Sequence, residues 1–270
     1  MNGSGTMNSA SIKKLLSDSA LSMIENIQSF DEIDSTNEEA LRQLRSGESE
    51  SGLLIASSQS AGRGRRGREW LSPDQAGLYI SLFRKFDLPV DSLQAISLVT
   101  ALSLETALRD AGVPGLQLKW PNDLLHAKKK LAGILLELHR KEQSSYLVFG
   151  IGINISLPAE VIQKIDRPVT DLSSIAAQLP ENDVLVAAII NELCDSLTRF
   201  EAEGFKPFRS AWNRLDCYLD CDIVIENAAT QTIGRSLGVD ESGALILKTA
   251  SGERLISSGE IFPSLREVVS

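Results

Sequence analysis

Gln59-Ser-Ala-Gly-Arg-Gly-Arg-Arg-Gly-Arg-Glu-Trp70 puts three glycines and four arginines into the seven residues Gly62 to Arg68, in a chain of formal net charge -9. Glycine permits backbone geometries that other residues resist, and guanidinium forks match phosphate or carboxylate oxygens. The stretch therefore has the makings of a loop that folds over an anion. Gly62 to Gly67 also matches G-x-G-x-x-G, but a dinucleotide turn needs a helix opening at the glycines. Pro73 intervenes, and Gly77 to Phe83 alternates as a strand does, which argues for a lid instead.

Three further segments carry groups able to do chemistry. Ser35-Thr36-Asn37 offers hydroxyls and an amide, although Ser35 with Glu38, or Thr36 with Glu39, would equally make a helix capping box. Lys119-Trp-Pro-Asn-Asp123, with Lys130-Leu-Ala-Gly133 after it, combines cations with a carboxylate; the plain readings are a turn aspartate and a strand-edge lysine. Gly150-Ile-Gly-Ile-Asn154 leaves two same-face positions of a strand bare, which weakens the strand unless something, such as a ligand, approaches its backbone closely. Cys194, Cys217 and Cys221 read as reduced thiols; a zinc site at Cys217 and Cys221 would have to recruit His126, His139 or a distant carboxylate.

Composition limits the partners. An acidic chain with a pI near 4.9 is a poor general polyanion binder, and the one arginine cluster lacks interleaved aromatics, so basic chemistry has to be local. No run of about 18 apolar residues and no signal-peptide core is present, which makes the expected location cytoplasmic. The 43% hydrophobic content over 270 residues suits one large domain with a small appendage.

The elements that must position these groups follow from periodicity. Met1 to Ser11 reads as a flexible leader, and Ile12 to Ile27 as one amphipathic helix or two short ones. Phe30 to Asp34 is a strand feeding a helix, Leu53 to Ser57 a strand, and Leu93 to Ala111 a helix stopped by Gly112. Leu116 to Trp120 is a strand; Lys130 to Leu138 and Tyr146 to Asn154 form an antiparallel hairpin. Leu157 to Leu172 has no periodicity, and helices follow over Asp183 to Glu203 and Lys206 to Leu215. Four short strands after Cys221, at Ile223 to Ile225, Thr232 to Leu237, Leu245 to Lys248 and Arg254 to Ser257, predict a small β barrel.

In combination and order these segments resemble the catalytic core of biotin protein ligases, from Asp34 through Asn154. Gly234-Arg-Ser, Gly243-Ala-Leu and Ser258-Gly-Glu260 resemble that family's C-terminal barrel, so the similarity spans residues 30 to 265. The resemblance implies an α+β fold: a mainly antiparallel mixed sheet with flanking helices, like that of class II aminoacyl-tRNA synthetases, followed by a small SH3-like β barrel. The implied division is a leader and short helix over 1–29, a catalytic biotin- and ATP-binding domain over 30–218, and a C-terminal barrel over 219–270. With the matching segment starting at Asp34, no N-terminal winged helix is expected, hence no DNA-binding repressor role.

The activity implied is two-step. Biotin's carboxylate attacks the α-phosphorus of Mg²⁺-bound ATP, giving biotinyl-5′-AMP and pyrophosphate; a lysine amine of a biotin carboxyl carrier protein domain then displaces AMP. By the same resemblance Lys130, Arg63 and Arg65 offset the repulsion of the two anions, and Asp123 binds metal or orients the lysine. Ser35, Thr36, Asn37 and Gln59 contact the biotin ring, with Gly62, Trp70, Gly133, Leu135 and Gly150 shaping its slot. Lys119, Asn122, Gly152 and Asn154 join the adenylate side; where some relatives carry an adenine-contacting arginine this chain has Ser264, with Arg266 two residues later. The lid closes over the adenylate and excludes water. A homodimer is compatible with the family. Lipoate or octanoate transfer on the same fold is the alternative, though that family's arginine-glycine-histidine pattern is not visible.

Overall fold

The computed structural model describes residues 7–86, 93–141, 144–227 and 230–262. Seven strands form the main sheet: β1 (Asn26–Ile33), β2 (Gly52–Gln59), β3 (Gly77–Lys85), β4 (Leu116–Lys119), β5 (Asp123–His126), β6 (Lys129–Lys141) and β7 (Ser144–Asn154). Their order is β1-β2-β3-β7-β6-β5-β4; β1 and β2 run parallel and every other pair antiparallel. The sheet is thus mixed and mainly antiparallel, and the β6–β7 hairpin expected from its short connection is present.

Helices cover both faces because the strands alternate apolar residues on both. Leu53, Ile55, Leu78, Ile80 and Leu82 join the principal core with α4 (Leu93–Asp110) and α6 (Asn182–Glu203), which pack on each other. On the opposite face α3 (Thr36–Ser46) buries Ala40, Leu41 and Leu44 against Leu54, Phe83, Tyr146 and Val148. One short helix cannot cover that whole face. Beside it the sheet stays open over β6 and β7, where the glycines lie.

The N-terminal segment departs from expectation. The two short helices that the sequence allowed are present, α1 (Ser9–Leu15) and α2 (Asp18–Met23), but α1 begins inside the leader expected to reach Ser11: Asn8 caps it through its side chain, and Met7 is buried. Of the expected leader only residues 1–6 lie outside the described residues. Ile27 belongs to β1 rather than to a helix, because the chain turns extended after Ile24. The aperiodic stretch holds one turn of helix, α5 (Ala159–Ile162), and α7 (Arg209–Leu215) follows a 3-10 turn over Lys206–Phe208.

The second sheet is antiparallel and has five strands: β8 (Asp222–Asn227), β9 (Thr230–Val239), β10 (Leu245–Thr249), β11 (Gly252–Ile256) and β12 (Glu260–Phe262), in the order β11-β10-β9-β8-β12. The fifth, β12, is too short to show alternation and was not expected. Trp120, fully buried between the sheets, donates from Nε1 to Gly243 O at 3.3 Å and so ties the 119–123 strap to the second sheet. No helix among the described residues is long and apolar enough to cross a membrane.

Candidate functional site

A cavity of about 360 Å³ opens on the uncovered part of the α3 face. Register explains its shape. One rung of the sheet runs Ala56, Tyr79, Gly152, Gly133, Asp123, Lys119 from β2 to β4; a neighbouring rung runs Leu54, Ser81, Gly150, Leu135. Residues directly opposite across antiparallel strands share a face, so Gly133 and Gly152 lie side by side and cut a trough. Trp70 lies in it: a Cβ on Gly152 would come within 2.6 Å of the indole, and one on Gly133 within 3.0 Å. A Cβ on Gly150 would run into Asn37 Oδ1. The bare backbone admits protein side chains as well as whatever fills the cavity.

The polar end is a closed hydrogen-bond network at the start of α3. Ser35 is the helix N-cap and accepts from Glu38 N at 3.4 Å, but Glu38 does not return the bond, so only half a capping box forms. Asp34 takes Ser35 N instead; the Arg42 guanidinium beside its carboxyl lowers the Asp34 pKa to about 2. Thr36 is not a cap. Its N and Oγ1 both donate to Gln59 Oε1, at 2.9 and 3.2 Å, while Gln59 Nε2 donates to Ser72 Oγ at 2.9 Å. Ser81 Oγ lies 2.7 Å from Thr36 Oγ1 and 2.6 Å from Asn37 Oδ1, sharing its one proton between them. These buried groups are oriented by one another before any ligand arrives.

The charged end gathers on β4, β5 and β6. Lys130 Nζ donates to Asp123 Oδ1 at 2.6 Å and stands 5.3 Å from the centre of the Trp70 ring. Arg65 reaches Asn122 Oδ1 at 2.9 Å and, at 3.3 Å, Gly259 O just before β12. Asn122 is fixed in turn by donating to Ile134 O at 2.8 Å. Asn154 donates to Thr170 O at 2.9 Å, fastening the 164–169 loop to β7, and Lys130 N donates to Pro168 O at 2.9 Å. That loop brings Lys164 and Arg167 to the cavity wall.

The arginine-rich stretch is a β-hairpin, bridged at Gln59–Ser72 and Arg63–Glu69, with a 3-10 turn over Arg65–Gly67 at its tip. No helix opens at the glycines; Arg66, at φ 58°, is left-handed instead. Gly62 is buried where an added Cβ would strike Trp70 O and Ser72 Oγ, so the hairpin closes tightly only with glycine there. Arg63 places one Nη 2.7 Å from Glu38 Oε2 and the other 2.7 Å from Glu137 Oε1.

Ser35, Thr36, Asn37, Gln59, Arg63, Arg65, Trp70, Lys119, Asn122, Asp123, Lys130, Gly133, Leu135, Gly150, Gly152 and Asn154 all line the cavity. Gly62 does not; it shapes the lid from behind. Arg266 lies outside the described residues. Ser81, Glu137, Lys164 and Arg167 escaped the sequence reading. Ser81 and Glu137 had a signal, a polar residue inside an apolar strand; Lys164 and Arg167 sit in a stretch without periodicity.

Comparison with known proteins finds family matches in both parts of the chain. The model of the "Biotin/lipoate A/B protein ligase family" matches residues 29–154, and that of the "Biotin protein ligase C terminal domain" residues 224–262. The chain is 37% identical to the bifunctional ligase/repressor BirA of Escherichia coli over 218 residues, covering 80% of this chain and 67% of that protein. It is 35% identical to the biotin–[acetyl-CoA-carboxylase] ligase of Paracoccus denitrificans over 236 residues, 85% of this chain and 97% of that one. The biotin protein ligase of Aquifex aeolicus, solved in complex with biotin and ATP, superposes with a TM-score of 0.74 at 29% identity, covering 88% and 98% of the two chains.

Proposed function

The chain belongs to the biotin protein ligase family, and from that membership and the geometry of its cavity we propose that it is an ATP-dependent biotin–[biotin carboxyl carrier protein] ligase. The observation that carries the proposal is the pairing of two unlike ends within one slot: a preorganised neutral network at Asn37, Ser81, Thr36 and Gln59, and a cationic end at Lys130 and Arg65. A ureido ring offers donors and an acceptor but no charge, which suits the first. A carboxylate approaching a phosphate concentrates negative charge, which suits the second.

Biotin lies beside Trp70 over β6 and β7, with its ring toward Asn37 and its carboxylate toward Lys130. The carboxylate oxygen attacks the α-phosphorus, the bond to the β-phosphate oxygen breaks, and pyrophosphate leaves. Lys130 balances charge on the oxygens that meet; its ammonium lies over the Trp70 ring and is fixed by Asp123. The lid hairpin and the 164–169 loop keep water from the mixed anhydride. An acceptor lysine then attacks the acyl carbon, losing a proton as AMP departs. Asp123, after releasing Lys130, is placed to orient that amine.

Mg²⁺ fits as a passenger on the nucleotide. Among the described residues no three His, Cys, Asp or Glu side chains gather to hold a metal, and the acidic side chains around the cavity are Glu69, Asp123 and Asp166. Magnesium bound by phosphates usually needs only one or two carboxylates, with Asp123 the better enclosed candidate. When bound it neutralises phosphate charge. The acceptor is the carrier domain of a biotin-dependent carboxylase, the location is cytoplasmic, and residues 30–218 and 219–270 are the catalytic and smaller units.

The test is pyrophosphate release on adding biotin, ATP and Mg²⁺, followed by labelling of a carrier domain. Release with lipoate and none with biotin would overturn the proposal.

A further inference from the structure

Arg63 was expected to serve the ligand's anions, yet its charge is already matched by the protein. Its two terminal nitrogens are gripped by carboxylates from two different elements, Glu38 of α3 and Glu137 of β6, each at 2.7 Å. Glu137 also accepts from Asn37 Nδ2 at 2.8 Å through its other oxygen. One carboxylate thereby joins the lid to the polar end of the cavity. It follows Gly133 and Leu135 on the same face of β6, where alternation aims it at α3. Glu38 in turn is steadied by Arg45 at 2.8 Å.

A single half-exposed ion pair contributes little, but a shared guanidinium with short, charge-assisted bonds to two anchored carboxylates is a network. The side chain of Glu137 is only 18% exposed, so leaving it charged without Arg63 is unfavourable, and that cost draws the hairpin inward. We propose that Glu137, assisted by Glu38, is a positioning residue that latches the lid through Arg63 and sets how long the activated intermediate stays enclosed. Because Glu137 also orients the Asn37 amide, a ring seated at Asn37 stiffens the latch. Arg65, held at Asn122, is a lid arginine at the charged end. This assignment rests on the proposed ligase activity for its intermediate, while the latch itself belongs to the free chain.

Two measurements separate these. Amide hydrogen exchange of residues 61–70 in the free protein reads the latch without substrate, and the dissociation rate of biotinyl-AMP reads its consequence. Glu137→Gln keeps the shape and removes the charge; it is expected to speed both about tenfold, and Glu38→Gln to act in the same direction. Arg63→Ala is expected to match Glu137→Gln, and the double variant Arg63→Ala/Glu137→Gln to be no faster than Arg63→Ala alone. Melting temperatures will show that the variants are folded. Unchanged lid exchange in Glu137→Gln, or additive effects in the double variant, would overturn the latch. If the unaltered chain releases no pyrophosphate with biotin, the reading of activity fails, and lid exchange still decides the latch.

Discussion

Lys130 and Asp123 form a close ion pair at the cavity: Nζ to Oδ1 is 2.6 Å, and the two side chains are only 16% and 14% exposed. They stand on neighbouring strands with the Gly133–Gly152 trough beside them, so the lysine is held toward the floor of the cavity. In the proposed reaction the pair has two roles, charge balance and positioning.

Replacing Lys130 with Ala removes the charge and leaves Asp123 enclosed without its partner. Biotin-dependent pyrophosphate release is expected to fall by at least about a hundredfold, with circular dichroism unchanged. Asp123→Asn should lower the rate less in the first step than in transfer to the carrier domain. Near-normal pyrophosphate release in Lys130→Ala would remove this lysine from the chemistry.

Ser81 is fully buried and bonded to both Thr36 and Asn37. Ser81→Ala withdraws the proton those oxygens share and lets the Asn37 amide turn. The expected result is a KM for biotin raised about tenfold with kcat changed less than about twofold. Steady-state kinetics with varied biotin will check it; an unchanged KM would detach the network from the ring.

Gly62→Ser builds a Cβ into Trp70 O and Ser72 Oγ, which the hairpin cannot relieve without opening. The variant should still form biotinyl-AMP but lose it to solvent faster, labelling lysines of an added protein that is not a carrier. If intermediate dissociation matches that of the unaltered chain, the lid does not retain the intermediate.

Asp216 ends α7 and bridges Leu118 of β4. Its Oδ1 accepts from Tyr218 N at 2.9 Å, while its Oδ2 has no hydrogen-bond partner among the described residues, and burial raises its pKa to about 6. A carboxyl whose pKa is raised on folding costs nothing while protonated in both states. Between pH 4 and 6 the unfolded chain loses the proton first, so stability falls as pH rises, by on the order of 3 kcal/mol in full. Asp216→Asn should therefore melt with the parent below pH 4 and above it in temperature beyond pH 6. Parallel melting curves across that range would show Asp216 to be solvated.

Helix and strand periodicity made most elements legible, because alternation and the 3.6-residue repeat are local consequences of burying one face. The Leu93 to Ala111 helix and the β6–β7 hairpin are examples. What failed were segments whose state is set from outside. Asn8 caps α1, but the helix is stable because Asn191 of α6 holds Ser17 N at 2.8 Å and Leu15 O at 3.1 Å. β12 exists because β8 offers it an edge.

The sequence by itself determined which residue types were available at the site: a glycine-arginine lid, a lysine before Leu-Ala-Gly, a Ser-Thr-Asn helix start, and bare strand positions at Gly150 and Gly152. Those follow from composition and spacing, which need no knowledge of distant neighbours. Only the tertiary structure decided their partners. Register puts Gly133 beside Gly152 and Ser81 beside Gly150, pairing residues far apart in the chain. The same packing sets Arg63 between Glu38 and Glu137, which lie 25 and 74 positions away. Hydrogen bonds and ion pairs act over about 3 Å, so which side chains meet at the site is a fact of folded distance.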